Sequence, residues 1–274
     1  MAKVMKPILY KMIMVFLTAS LLYSFQDGNE NVKRIKLPNG WTLTPAGESL
    51  PLGDLPLNIA VSSSGKYLAV TNNGQSDQSI QLIDASKSQI LDNVTVSKAW
   101  YGLIFSSDEK YLYASGGNDN WILSFAVIKD KLTAVDTFKL GKKWPEKISP
   151  AGIALDDNRK ILYVVTKENN SLYLINILSK AVIGVYPLGG EGYSCLLSPD
   201  KSRLYISCWG CDKVLIFDTG TKSFYSPVNV GDNPNEMCMT GNGRFLFVAN
   251  ANDNSVSVID TESRKVVELL NTAL

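Results

Sequence analysis

A chain of 274 residues with 45% hydrophobic residues and a formal charge of +1 has a globular composition and enough apolar material for a sizeable core. It contains no histidine, which removes a Ser-His-Asp triad, a Cys-His pair, a His-ligated zinc site and a di-metal phosphatase centre with His ligands. No Lys/Arg run beyond the extreme N-terminus forms a basic stripe, so nucleic acid is not an expected partner.

The chain opens with Lys3, Lys6 and Lys11 ahead of the apolar run Met12 to Phe25, followed abruptly by polar "QDGNENVKR". That layout predicts a signal peptide over 1–25 and a polar linker over 26–40. Fourteen apolar residues are short of the roughly 20 a membrane span needs, so no stable span is expected after cleavage, with an uncleaved N-terminal anchor as the alternative reading. Removing the segment leaves 24 basic against 26 acidic residues. The expected destination is the periplasm or the extracellular space.

From residue 41 the chain repeats itself. "SSSGKYLAV", "SSDEKYLYA", "DDNRKILYV", "SPDKSRLYI" and "TGNGRFLFV" align on Leu68, Leu112, Leu162, Leu204 and Leu246, at separations of 44, 50, 42 and 42 residues. Such a period is the length of a propeller blade. Asp84, Ala126, Asn176, Asp218 and Asp260 follow at 14 to 16 residues and are expected to close a strand in each unit. Within each unit, short β-branched and apolar runs alternate with Asn, Asp and Gly turns, and no helical period is sustained. The expected fold is all-β, a β-propeller of about five four-stranded antiparallel blades near 54–98, 99–141, 149–189, 192–231 and 232–270. One sheet cannot bury both faces alone, which is why the unit recurs.

"SPAGIAL" from Ser149, "SPDKSRLYIS" from Ser198 and "FVANANDNSVSVIDT" from Phe247 make these units resemble the YVTN-type β-propeller repeat over roughly residues 50 to 270. The lead-in "NGWTLTPAGESLPLGDLPLNIAVS" and "LYISCWGCDKVLIFDT" resemble the N-terminal propeller half of exported bacterial proteins whose second half is an alkaline-phosphatase-superfamily phosphoesterase. The chain ends at Leu274 without such a domain, so that activity does not carry over. "ESLPLG" from Glu48 reads as an outer strand without partners. Five units fall short of the roughly seven common for this repeat, so an incomplete ring, an open arc of blades from a truncated or split product, is expected, with a closed five-bladed ring as the alternative.

The segments leading into each inner strand and the loops between second and third strands should share one face. It would carry Trp100, Tyr101, Asp119, Trp121, Tyr193, Trp209, Asn235, Glu236 and Asp253 as ligand-binding candidates. Rings offer flat apolar contact and amides offer orientation, which suits a protein, peptide or polar small-molecule partner. The same residues are also ordinary turn formers and channel plugs. The opposite face, with its "SSG", "SDE", "DNR", "PDK" and "GNG" turns, reads as solvent-facing connection. No spacing reaches the calcium-loop pattern, and neither metal nor cofactor is expected.

Cys208 and Cys211 form a C-x-x-C across a hairpin loop with no helix to activate a thiol, which points to a structural role, free or as a disulfide. Cys195 and Cys238 lie on neighbouring inner strands and are expected to pack as small apolar groups. Function therefore reads as a non-catalytic exported binding or scaffold module. The alternatives are a lactonase-like hydrolase working through carboxylates such as Glu236 and Asp253, and an electron-transfer partner subunit.

Overall fold

The computed structural model describes residues 34–44 and 49–272, so the expected signal segment lies outside the described residues. The chain divides into two compact units, 1–51 and 52–274. In the first, β1 (Ile35–Lys36) pairs antiparallel with β2 (Thr42–Leu43). Among the described residues no helix is long and apolar enough to cross a membrane.

The second unit is built of five antiparallel sheets. Blade 1 holds β3 (Pro56–Val61), β4 (Tyr67–Asn72), β5 (Ser79–Asp84) and β6 (Gln89–Thr95), and blade 2 holds β7 (Leu103–Phe105), β8 (Tyr111–Ser115), β9 (Trp121–Ile128) and β10 (Lys131–Lys139). Blade 3 holds β11 (Pro150–Asp156), β12 (Ile161–Thr166), β13 (Ser171–Asn176) and β14 (Ala181–Pro187). In blade 4, β15 (Gly192–Leu197), β16 (Arg203–Cys208) and β17 (Lys213–Asp218) are followed by an outer edge split into β18 (Ser223–Phe224) and β19 (Val228–Asn229). Blade 5 holds β20 (Pro234–Met239), β21 (Phe245–Asn250), β22 (Ser255–Asp260) and β23 (Lys265–Asn271). The sheets stand side by side in a propeller-like array that is not closed into a ring.

The repeated letters have a local cause. Asp218 Oδ1 accepts the backbone N–H groups of Gly220 and Thr221 at 2.9 and 2.8 Å, and Asp260 does the same for Glu262 and Ser263. These are Asx-turns, in which a short carboxylate satisfies donors the sheet has left behind. The bonds, led by that from Thr221, hold the Asp218 carboxyl down at about 2. The next residue completes the device: Thr219 Oγ1 donates to the Lys201 carbonyl and Thr261 Oγ1 to the Gly243 carbonyl, stitching two turns of one blade together. Lys222 and Arg264, four residues after each Asp, take the left-handed conformation that redirects the chain into the outer strand.

The serine that opens the inner hairpin of blades 1, 2 and 4 has an equally specific task. The backbone N–H groups of Tyr67, Tyr111 and Arg203 donate to Ser62, Ser106 and Ser198 Oγ, five residues earlier, each at 3.0 Å. The core lies between blades, where one strand position repeats. Tyr113, Tyr163 and Tyr205 occupy it in β8, β12 and β16, each at most 4% exposed, and each packs on the aliphatics of the following blade. Phe247 holds it in blade 5 and is only partly buried, because among the described residues no further sheet packs against it.

Three expectations need correction. The described part of "ESLPLG" forms no strand: Gly53 instead turns so that its N–H donates to Gln81 Oε1 at 3.2 Å, and its backbone lies against Asn72. Ala126 does not close its strand, since β9 runs on to Ile128; alanine cannot form the Asx-turn that ends β5, β13, β17 and β22. Cys238 is exposed rather than packed, because it faces outward from the last blade, whereas Cys195 is buried against blade 3.

Candidate functional site

Backbone hydrogen bonds tie the inner-strand lead-ins to the loops between second and third strands, so both sets line one face. Trp100 donates to the Ser115 carbonyl, Lys167 to Ser149, Trp209 to Glu191 and Ala251 to Asn233, at 2.8 to 3.1 Å. β-Bulges at the start of β3, β11, β15 and β20 tilt the first residues of those inner strands towards this face.

On that face the nine sequence candidates fall into separate groups. Tyr101, Tyr193 and Trp209 form an aromatic ladder, with ring centroids 4.8 Å apart for the first pair and 5.2 Å for the second. Tyr101 and Tyr193 come from blades 2 and 4 and meet because blade 3 presents only Ala151 and Gly152 between them. A Cβ on Gly102 would stand 2.2 Å from the Ala151 carbonyl, and one on Gly152 would stand 2.7 Å from Ser194 Cα, so both glycines allow the inner strands to close up. The ladder fills the mouth of the arc as much as it lines it. Burial raises the Tyr193 hydroxyl pKa, with a hydrogen bond from Asn235 pulling the other way.

Trp209 sits inside the Cys208–Cys211 pair, whose sulfurs are 2.09 Å apart in a disulfide. Gly190 lies against both sulfurs, where any side chain would collide, and Lys167 Nζ stands 5.9 Å from the Trp209 ring centroid. Glu236 is beside Ser194, whose Oγ donates to Oε1 at 3.4 Å. Its side chain is exposed at the mouth, and the groups around it partly desolvate the carboxyl, which raises its pKa. Asp253 is apart from this group: its Oδ2 accepts the Asp232 N–H at 2.7 Å, a loop-closing bond.

The second group surrounds a cleft of about 240 Å³ between the loops of blades 1, 2 and 3. Trp100 is the one sequence candidate that lines it. Asn73, Gln78, Asn118 and Ser149 add amide and hydroxyl groups, and Lys98, Lys167 and Glu168 add charge. Asp119 and Trp121 stand behind the cleft: Asp119 Oδ2 accepts from Ser97 Oγ at 2.6 Å, and Lys143 Nζ lies 3.8 Å from Asp119 and 4.3 Å from the Trp121 ring centroid. Sequence reasoning missed the two cleft lysines. Their one signal was position, since each falls within a lead-in or a second-to-third-strand loop.

Among the described residues no group of three His, Cys, Asp or Glu side chains is placed to hold a metal ion. The face offers rings, amides and a few charges rather than paired carboxylates.

No known family profile matches the chain, and no curated protein matches its sequence. Its fold is similar to solved propeller-type structures. A protein from Lactobacillus plantarum superposes with a TM-score of 0.70 at 16% identity, covering 82% of this chain and 73% of that one. A functionally unknown protein from Desulfotomaculum acetoxidans gives 0.61 at 16% identity, covering 71% and 63%. Hydrazine synthase from Kuenenia stuttgartiensis gives 0.53 at 18% identity, covering 75% and 83%. At these identities the likeness shows a propeller-like architecture of repeated antiparallel sheets and nothing finer.

Proposed function

We propose that the protein is a non-catalytic, exported binding module of the YVTN-repeat kind, which holds a polar ligand on the face where lead-ins and loops converge. The observation that carries this reading is the chemistry of the 240 Å³ cleft: one indole, Trp100, with three amides and two lysines around it, and a single carboxylate, Glu168. An indole supplies flat contact, the amides read orientation and the lysines favour an anionic group. Acid–base hydrolysis needs two groups with separated pKa values in one cavity, and neither Glu236 nor Asp253 lines this cleft. That favours binding over a carboxylate hydrolase.

The test is a tryptophan-fluorescence titration with neutral and uronic-acid oligosaccharides and short acidic peptides, repeated on Trp100→Ala. Saturable binding that Trp100→Ala removes and Asp253→Ala leaves intact supports the reading. Absence of binding across the panel, or equal affinity in both variants, sinks it. Export is tested separately by locating the full-length product and determining its mature N-terminus.

A further inference from the structure

Every junction between blades is made in the same way. The inner strands of successive blades pack on one another, and alternation divides their side chains into two sets. One set projects towards the following blade: Ile104, Ala154 and Leu196 on the inner strands, opposite Tyr113, Tyr163 and Tyr205 on the second. The other set receives the preceding blade. Ile153 with Leu155, Cys195 with Leu197, and Met237 with Met239 do this in blades 3, 4 and 5, each pair sharing a core with the tyrosine that projects into it.

Among the described residues, blade 5 carries a projecting set with no sheet after it and blade 1 a receiving set with no sheet before it. Cys238 stands opposite Phe247 as Ala154 stands opposite Tyr163, and Cys238 is exposed. At the other end, Ile59 and Val61 stand opposite Val70 and Leu68, the register that Ile153 and Leu155 keep with Val164 and Leu162. Ile59 and Val61 are 55% and 62% exposed, whereas Ile153 and Leu155 are each 7% exposed. Val70 and Ile83 on the same face are buried, so the open part of blade 1 is its inner-strand pair, the part that meets a neighbour at every other junction. The array is not closed, so the two half-junctions do not satisfy each other within one chain. The hairpin turns beside them, Gly241-Asn242 on blade 5 and Ser63-Ser64 on blade 1, are uncharged, so no like charges oppose the match.

We propose that copies of this chain join head to tail, the projecting face of blade 5 on one copy seated on the receiving face of blade 1 on the next, as one more blade junction. Such an interface is heterologous, because it uses two different surfaces. It also completes the mouth beside Ser194. The residue just before the receiving pair reaches the following blade, since Asn58 Nδ2 donates to the Tyr101 carbonyl at 2.7 Å and Ser194 Oγ to Glu236 Oε1 at 3.4 Å. Glu236 holds that place in blade 5, next to Met237, and so faces the lead-in of the second copy's blade 1. The inference does not rest on the ligand proposed for the cleft at Trp100.

The protein that accumulates on expression of the full chain is followed by sedimentation velocity over a wide concentration range. Phe247→Lys blocks only the projecting face and Val61→Lys only the receiving face, with Ile59→Lys as a second block of the latter. All three positions point away from the cores between blades, so urea unfolding should match the wild type. The wild type should form oligomers that grow with concentration, and each variant alone should run as a monomer. An equimolar mixture of Phe247→Lys and Val61→Lys should give a dimer of one copy each that grows no further, because one intact pair of faces remains. Association that persists in both Val61→Lys and Ile59→Lys would show that blade 5 pairs with itself, and association that persists in Phe247→Lys that blade 1 does; either result overturns the proposal. So does a mixture that stays monomeric, or a wild type that is monomeric throughout.

Discussion

Asn120 Oδ1 accepts the backbone N–H of Ser149 at 2.9 Å, which fastens the end of blade 2 to the first residues of blade 3. The same clamp recurs where Gln78 accepts from Ala99 at 2.7 Å and Asp212 from Asn233 at 3.1 Å. Each clamp uses the residue just before the third strand and the lead-in of the next blade. Asn120 does more than its counterparts, because its Nδ2 donates to the carbonyls of Lys142 and Glu146, both at 2.6 Å. One buried amide thus gathers the whole 142–149 loop, which makes the second repeat longer than the others.

Replacing Asn120 by alanine strands buried backbone donors and acceptors at both ends of that loop. Each such group left unpaired costs about 1–3 kcal/mol, so Asn120→Ala should lose about 3 kcal/mol in urea unfolding once partial rehydration is allowed. Asp212→Ala removes one bond at an exposed position and should lose about 1 kcal/mol or less. Equal losses would show that the clamp's burial is not what matters.

The contrast between those residues also marks what was legible in the sequence. The period, the strand pattern and the Asx-turn aspartates follow from local rules of turn chemistry and alternation, so five units could be read directly. Ala126 and Cys238 were misjudged because the first breaks the turn rule and the second depends on whether another sheet follows. The cleft residues Lys98 and Lys167 belong to different blades, and only tertiary packing brings them together.

Cys208 and Cys211 close a ring of only four residues around Trp209, and chain-entropy arguments for so short a loop give about 2 kcal/mol. The double variant Cys208→Ser, Cys211→Ser should therefore fold with a loss of that order. Its Trp209 should move away from Tyr193 and emit further to the red. An unchanged emission spectrum alongside lowered stability would mean the ladder holds the indole without the disulfide.

The last blade leaves apolar side chains uncovered. Phe247 holds the position that buries Tyr205 to 1% in the preceding blade, and Val267 and Leu269 of β23 are 56% and 55% exposed. Such a face together with an unpaired edge strand favours association. The chain should sediment as concentration-dependent oligomers, and Phe247→Lys should shift it towards monomer with no loss of stability. A monodisperse wild-type monomer across the concentration range would refute this.

Glu236 gives the clearest pH signature. Its folded-state pKa lies above the ordinary 4.5 because burial disfavours the carboxylate. The folded protein therefore holds a proton that the unfolded chain has released, and stability falls as pH rises from the unfolded value through the folded one. The protonated group's contribution is complete below 4.5 and gone above the folded pKa. Glu236→Gln cannot titrate, so its melting temperature should lack that part of the decline as pH rises from 4.5 through the folded pKa, and exceed the wild-type value above it. Parallel melting curves for the two proteins across that range would mean that solvent reaches the exposed carboxyl freely and that its neighbours do not desolvate it.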